Sequence, residues 1–518
     1  MTGSPGSDVQ AVRAYLRSRG RAPAGLMDRY VSVFSLLLFI AVAGKPLSDV
    51  LAGLAVPGEP ARMGAGVALL ALALAGSLAA ARNAGPVLLS GADASWLLLS
   101  PLNRRHVLGR TARLLFGIAA VAGVVLGVGL LAVLGAPDQL VWRVLGALVV
   151  GVSAAVGGMA LAVLGQASSS WRLWLSGAIA VLLVLAVVAV TGQLRTVLAI
   201  AAAAPLSALA AAVSGAAVVS GLLVRQAWVS LERIPTRTLV ASSTRAGHVA
   251  GAAVSLDPGA LTWIAEDNHW RARKLASRRW PSLPAPFALA WQDWRRLVRR
   301  RGRLVGVAAT AALPAVLAQA GGSPVALGVA VLGGALAVAS IGTSGARRDA
   351  DNPALARLIG VGHRQALAAR AVLPGLLAGT WAALALTGLA LGPGLTLGPG
   401  LALGPGLALG PALGGGAWWS FGPLAAPALA AAALRMARRA PVDHSMPVID
   451  TPQGAIPTGP LFWAATGPDL ALVGCLPAAA ALVFQPTALA PFLVAQGVVS
   501  AVVLTGFVWR ARSGGMRK

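Results

Sequence analysis

The sequence predicts an all-α, polytopic integral membrane protein. About twelve transmembrane helices are expected, as a tandem, parallel duplication of a six-helix half. Three observations predict this. Hydrophobic residues make up 57% of the 518 positions and charged residues only 11%, where soluble domains carry about 25% charged residues. Apolar segments of about 20 residues, long enough to cross a bilayer, alternate with arginine-rich segments. Finally, a half-unit occurs twice. Residues 12–21 read VRAYLRSRGR, residues 294–303 read WRRLVRRRGR, and apolar helices follow each. The matched pairs are Arg13/Arg295, Arg17/Arg299, Arg19/Arg301, Gly20/Gly302 and Arg21/Arg303.

In the first half the spans fall at roughly 27–44, 64–83, 111–134, 144–165, 173–191 and 203–224. In the second they fall at roughly 304–320, 325–345, 367–390, 416–434, 463–482 and 488–509. The first span is short, because Arg29 and Lys45 bound it. It either tilts little while Lys45 snorkels, or continues through Pro46 with a kink. The nearly continuous stretch 173–224 is interrupted by Gln193, Arg195 and Pro205. It must turn back, so 194–203 is expected as a short re-entrant or interfacial helix on the outer face. Residues 225–285 are charged and polar, with Trp263, Trp270 and Trp280. They read as a basic cytoplasmic linker between a first membrane half, 1–224, and a second, 286–518. Residues 391–413 repeat LGPGL; recurrent Gly-Pro prevents a helix, so an outer loop is expected.

The net charge of +26 invites a nucleic-acid partner, but its placement argues against one. All of the 42 Lys and Arg residues except Lys45, Arg62, Arg143 and Arg195 fall in predicted inner segments. This is the positive-inside pattern. It places the chain in a bacterial cytoplasmic membrane with both termini cytoplasmic. The basic loops suit anionic lipid headgroups, at about 1 kcal/mol per residue. The first thirty residues show no apolar core of a cleavable signal peptide.

Catalytic chemistry is thinly represented. Cys475, the single cysteine, lies in an apolar span and reads as a small buried hydrophobe. None of His106, His248, His269, His363 and His444 has a partner at metal-ligand spacing. There is no P-loop GxxxxGK[ST], so no ATPase is expected in this chain. The sixteen acidic residues lie in loops or at span ends, with Asp469 the deepest. No catalytic, cofactor or metal residue is assigned. The lack of intramembrane carboxylates argues against a proton relay.

Two features remain. Each half opens with an amphipathic basic helix suited to the membrane interface. In the first copy Val12 and Leu16 share a face apart from Arg13 and Arg17. In the second Phe287, Trp291, Trp294 and Val298 share one, with Arg295 and Arg299 among the basic residues around it. The second feature is an inner loop between spans 2 and 3 of each half. In the first, Asp93 can cap a short helix bearing Trp96, Leu97, Leu98 and Leu99, followed by Pro101, Arg104 and Arg105. In the second, Asn352 suits the N-cap, Pro353 the first helical position and Gly360 the C-cap. Leu355, Leu358 and Ile359 form its apolar face, flanked by Arg357 and Arg364. Exposed apolar residues on short capped helices mark protein contacts.

The stretch LLLSPLNRRHVLGR (97–110) resembles the "short apolar helix, Pro, Arg-Arg, start of span 3" pattern of ABC-2-type permeases, the membrane subunits of the type V exporter fold. The second copy, RLIGVGHRQALAAR (357–370), matches the first less closely and has Val361 where the first has Pro101. The chain is also similar to actinobacterial fused permease-like membrane proteins. The resemblance implies six spans per half, a connecting helix before span 1 and a coupling helix between spans 2 and 3. It implies an ATP-driven exporter of a hydrophobic or amphipathic substrate, with two copies of a separate cytoplasmic ATPase that bind ATP and Mg2+. The coupling helices near 93–100 and 352–360 would seat on those ATPases. A secondary carrier, and a non-transporting membrane scaffold or mechanical transmitter, stay open as alternatives.

Overall fold

The computed structural model describes residues 60–87, 104–135, 138–236, 238–240, 243, 282–299, 301–352, 354, 358, 360–391, 417–440, 448–451, 454–486 and 488–510. The chain divides into two compact units, residues 1–57 with 135–140 and residues 58–134 with 141–518. In the smaller unit, Gly135 (φ 71°) and Gln139 (φ 47°) adopt left-handed backbone.

The helices in chain order are α1 (Pro60–Ala84), α2 (Arg104–Leu134), α3 (Leu140–Ala167), α4 (Ser169–Val190), α5 (Arg195–Ala202) and α6 (Leu206–Ser230). After the predicted linker come α7 (Ala285–Val298), α8 (Arg301–Thr310), α9 (Leu313–Gln319), α10 (Pro324–Ile341), α11 (Ser344–Asp351) and α12 (His363–Leu391). The chain ends with α13 (Phe421–Ala437), α14 (Thr458–Ala465), α15 (Pro468–Gly474), α16 (Leu476–Phe484) and α17 (Ala490–Arg510). The fold is helical as expected, with one short antiparallel ribbon among the described residues, β1 (Val448–Thr451) with β2 (Gly454–Pro457). Its register pairs Val448 with Pro457 and Thr451 with Gly454.

Among the described residues, nine helices are long and apolar enough to cross a membrane: α1 to α4, α6, α10, α12, α13 and α17. The chain is therefore a polytopic helical membrane protein. Each of these helices overlaps a predicted span, although α6 runs past the predicted end at 224. The predicted span at 27–44 lies outside the described residues. The segments predicted at 304–320 and 463–482 are broken helices. The first divides into α8 and α9 at Ala311–Ala312, just before Pro314. The second divides into α14, α15 and α16 at Gly467, whose φ is 110°, and at Cys475.

Breaks within apolar segments leave backbone groups that need partners, because hydrocarbon offers none. At the Cys475 break the Gln496 side chain of α17 supplies them. Gln496 Nε2 donates to Gly474 O (2.7 Å), while Ala478 N donates to Gln496 Oε1 (3.0 Å). The amide thus sits between a carbonyl and the N–H four residues on, which an unbroken helix would join directly. Ser500 Oγ completes the group, accepting from Gln496 Nε2 at 2.6 Å, and both side chains are fully buried.

The short helix α5 forms where 194–203 was expected to turn back. Arg143 of α3 closes its C-terminal end, donating to Ala202 O (2.7 Å) and Ala204 O (3.3 Å). A cation there also opposes the partial negative charge of the helix end.

Glycines set two close helix crossings. A Cβ on Gly151 of α3 would overlap Gly123 O and Gly127 N of α2. A Cβ on Gly422 of α13 would lie 2.5 Å from both Gly379 O and Ala383 N of α12. In both cases the glycine sits over the carbonyl of one residue and the N–H of the residue four positions on. Small residues allow such approaches, which drive helix packing in lipid. The largest buried cluster joins α10, α12, α13, α15 and α16 around Val331, Ala335, Ala378, Trp381 and Leu429.

Candidate functional site

A helix, α7, occupies the place where an interfacial helix is expected before the second half. Pro284 precedes it and Pro286 occupies its first turn, where a missing N–H costs nothing. Leu289, Asp293 and Leu297 recur every four residues and are buried against the bundle. Phe287, Trp291 and Trp294 occupy the other side and are exposed. Aromatic side chains on a basic amphipathic helix suit the membrane interface.

The buried face of α7 carries a charge, which sequence reading did not single out. Asp293 is 3% exposed, and its Oδ1 accepts from Arg370 Nη1 of α12 at 2.7 Å. Arg370, 4% exposed, also donates through Nε to Asp349 Oδ2 (3.0 Å) and through Nη2 to Asp349 Oδ1 (3.2 Å). Asp349 lies on α11, which leads from α10 into the inner loop. Arg370 Nη1 further reaches Leu289 O at 3.4 Å. One guanidinium therefore ties α7, α11 and α12 together, with bidentate geometry toward Asp349. Gly345 makes room for it, since a Cβ there would collide with Arg370 and Asp293. Pro374, one turn on, removes the helical hydrogen bond that Arg370's carbonyl would otherwise accept.

Two carboxylates share one guanidinium, and Asp293 Oδ2 is buried without a hydrogen-bond partner. Burial pushes the Asp293 carboxyl above its ordinary value, and Arg370 and Arg296 pull it back down. Beside the cluster, Arg438 Nη2 lies 3.2 Å from His363 Nε2. Arginine can only donate, so that imidazole nitrogen accepts.

Other sequence-assigned residues are dispersed. Val12, Arg13, Leu16, Arg17, Asp93, Trp96, Leu97, Leu98, Leu99, Leu355, Arg357 and Ile359 lie outside the described residues. Arg104 and Arg105 open α2, and Arg105 Nε pairs with Glu232 Oε1 at 2.9 Å. Asn352 ends α11, its N–H bonding to Arg348 O. Leu358 is helical and 82% exposed, and Gly360 takes the left-handed φ of 72° expected after a helix. Arg364 lines an apolar groove of about 580 Å3 with Val502, Thr505 and Trp509. Val298 is half-buried, while Arg295 and Arg299 lie in the last turn and at the C-cap of α7. Asp469, the deepest acid by sequence, caps Gly467 N and Leu470 N and pairs with Arg435 at 2.8 Å.

Asp293 and Arg370 each had a faint sequence signal. Asp293 is an acid within an arginine-rich amphipathic helix, on the face with Leu289 and Leu297. Arg370 sits inside the predicted start of a span. Neither signal names the partner.

No curated protein matches the chain. No solved structure matches it. A family model does match, over residues 59–447, and is described as a family of unknown function (DUF6297). That stretch runs from the start of α1, across the predicted linker, to a point just beyond α13, so it takes in helices of both predicted halves. With this much of its length matched, the chain belongs to the DUF6297 family.

Proposed function

We propose that this chain is the permease subunit of an ATP-driven ABC exporter, resembling two fused ABC-2-type halves. A separate cytoplasmic ATPase, two copies per chain, binds ATP and Mg2+ and supplies the energy. The observation that carries this reading is the Arg370 cluster. It fastens the interfacial helix α7 to the junction of α11 and α12. A push on the inner loop near Leu358 is passed through Asp349 and Arg370 to Asp293, and so to α7. A buried, multiply bonded guanidinium suits such transmission, because moving one partner without the others breaks charge-assisted hydrogen bonds. Leu358, 82% exposed, is the contact such a push requires.

Two further parts of the reading have support. The repeated glycine crossing, α2 with α3 and α12 with α13, fits a parallel duplication of six spans, twelve in all. Arginine placement favours cytoplasmic termini in a bacterial plasma membrane. The substrate is hydrophobic or amphipathic, in keeping with largely apolar helix surfaces.

Co-expression with candidate ATPases, followed by purification and ATPase assay, tests the proposal. A stable complex whose ATPase is stimulated, and which Leu358→Asp or Leu98→Asp weakens, is the expected result. Failure to bind any candidate, or indifference to both substitutions, would move the reading to a scaffold or a secondary carrier.

A further inference from the structure

The first half contains a basic cavity that the transport reading does not use. It occupies about 470 Å3 where the ends of α1 and α3 meet the start of α4. Arg82, Asn83, Gln166, Arg172 and Thr238 supply its polar wall, and no carboxylate is among the described residues that line it. The cavity is built by specific contacts. Gly85, at φ 81°, turns the chain after α1, a conformation glycine adopts without strain. The turn buries Val87 completely, and Gln166 holds its backbone on both sides, accepting from Val87 N (3.1 Å) and donating to Val87 O (3.2 Å).

Both guanidinium groups are positioned and still have donors to give. Arg82 uses Nη1 on Ser176 Oγ (3.0 Å), and Arg172 uses Nε on Gly165 O (3.4 Å). A guanidinium has five N–H donors in a fork that fits phosphate oxygens. The C-terminal ends of α1 and α3 bring partial negative charge, but only about half a unit each, against two full positive charges. The start of α4 contributes the favourable sign.

We propose that this cavity binds a phosphate group, and that its occupant is the headgroup of an anionic phospholipid. The surface beside it argues for lipid over a soluble anion. Leu173 and Trp174 adjoin Arg172 and are 75% and 70% exposed, and Val181, Val184 and Val187 continue the exposed apolar face along α4. A phosphate held by the arginines leaves acyl chains alongside that face, with Trp174 at the headgroup level where tryptophan is enriched. Basic pockets between the ends of transmembrane helices are known to hold such headgroups.

The test uses the full chain in detergent, titrated with phosphatidylglycerol or phosphatidylcholine and read by native mass spectrometry. Wild-type protein retains phosphatidylglycerol about tenfold better, the scale of one charge-assisted contact. Arg82→Gln with Arg172→Gln abolishes the preference, whereas Arg510→Gln keeps it. Should the double variant fail to fold, Asn83→Glu places a repelling carboxylate on the exposed wall and gives the same loss. Equal retention by wild type and either pocket variant overturns the site. Displacement of the lipid by millimolar inorganic phosphate overturns the lipid as occupant.

Discussion

The two predicted halves make the same helix crossing, but individual helices within them are buried to very different extents. In each, a glycine lies over the backbone of a neighbouring helix: Gly151 on α2, Gly422 on α12. Yet only 6% of the apolar window of α6 is buried in the protein, against 61% for α13. Side-chain size alone does not explain the contrast, since Ala210, Ala211 and Ala212 of α6 are exposed; position in the bundle does. Helix α13 carries Ala430, Ala431, Ala432 and Ala433 in a row, all essentially inaccessible, so neighbours approach it from every side. Helices α4 and α6 display Val184, Val187, Val218, Val219 and Leu222 outward. Charged pairs differ in burial too, although Arg435 and Asp469 of the second half are as exposed, at 38% and 43%, as the pair in the first half. Arg370 is buried between two carboxylates, while Arg105 and Glu232 form a pair with both side chains roughly 40% exposed. The second half thus holds the two most enclosed helices, α12 and α13, whereas α17 of the same half and α4 and α6 of the first present apolar surface for lipid or another chain.

The largest effect is expected from Arg370→Ala. It leaves Asp293 and Asp349 without their shared cation in a buried site, at about 3–5 kcal/mol. Recovery of folded, monodisperse protein from membranes should fall sharply; normal recovery would mean that water reaches the cluster. Next come Gly422→Val and Gly151→Val, which force a side chain into backbone at about 1–3 kcal/mol or more. Thermal unfolding in detergent should show both losses. A loss at 422 alone would break the equivalence of the crossings. Gln496→Leu follows, at about 1–3 kcal/mol, because Gly474 O and Ala478 N lose their bridge in an apolar setting. An unfolding midpoint unchanged by this variant would remove Gln496 from its bracing role.

Asp293 predicts a pH dependence of stability. Its carboxyl is held above the ordinary value by burial. A group raised in the folded state contributes stability that is complete below its unfolded value and lost as pH rises through the folded one. Unfolding midpoints should therefore decline from acid toward neutral pH. Asp293→Asn should flatten that slope, and an unchanged slope would assign it to other groups. The smallest effect, about 0–1 kcal/mol, is expected for Arg105→Ala, since exposed ion pairs contribute little. A loss comparable to that of Arg370→Ala would erase the contrast between the buried and the exposed pair.

Much of the fold was legible as a string of letters. Hydropathy located α1, α2, α3, α4, α6, α10, α12, α13 and α17, and Gln193, Arg195 and Pro205 marked the turn that contains α5. The α7 pattern announced a helix with an aromatic side. The candidate site was less legible. The cluster on α7 depends on residues 56 and 77 positions from Asp293 in the chain (Asp349 and Arg370).

By itself the sequence determined which segments belong in a membrane and roughly where most of their helices lie. Those properties depend on local composition: apolar length against bilayer thickness, caps, prolines and arginines at segment ends. Tertiary structure alone decided which helices touch, that the segments at 304–320 and 463–482 are broken, and which polar groups are satisfied. A glycine in an apolar run reads the same whether it faces lipid or another backbone. Gln496 likewise gives no sign of the carbonyl and N–H it joins. Such groups acquire a role only when distant helices meet, because hydrocarbon leaves each buried polar atom dependent on the protein for its partner.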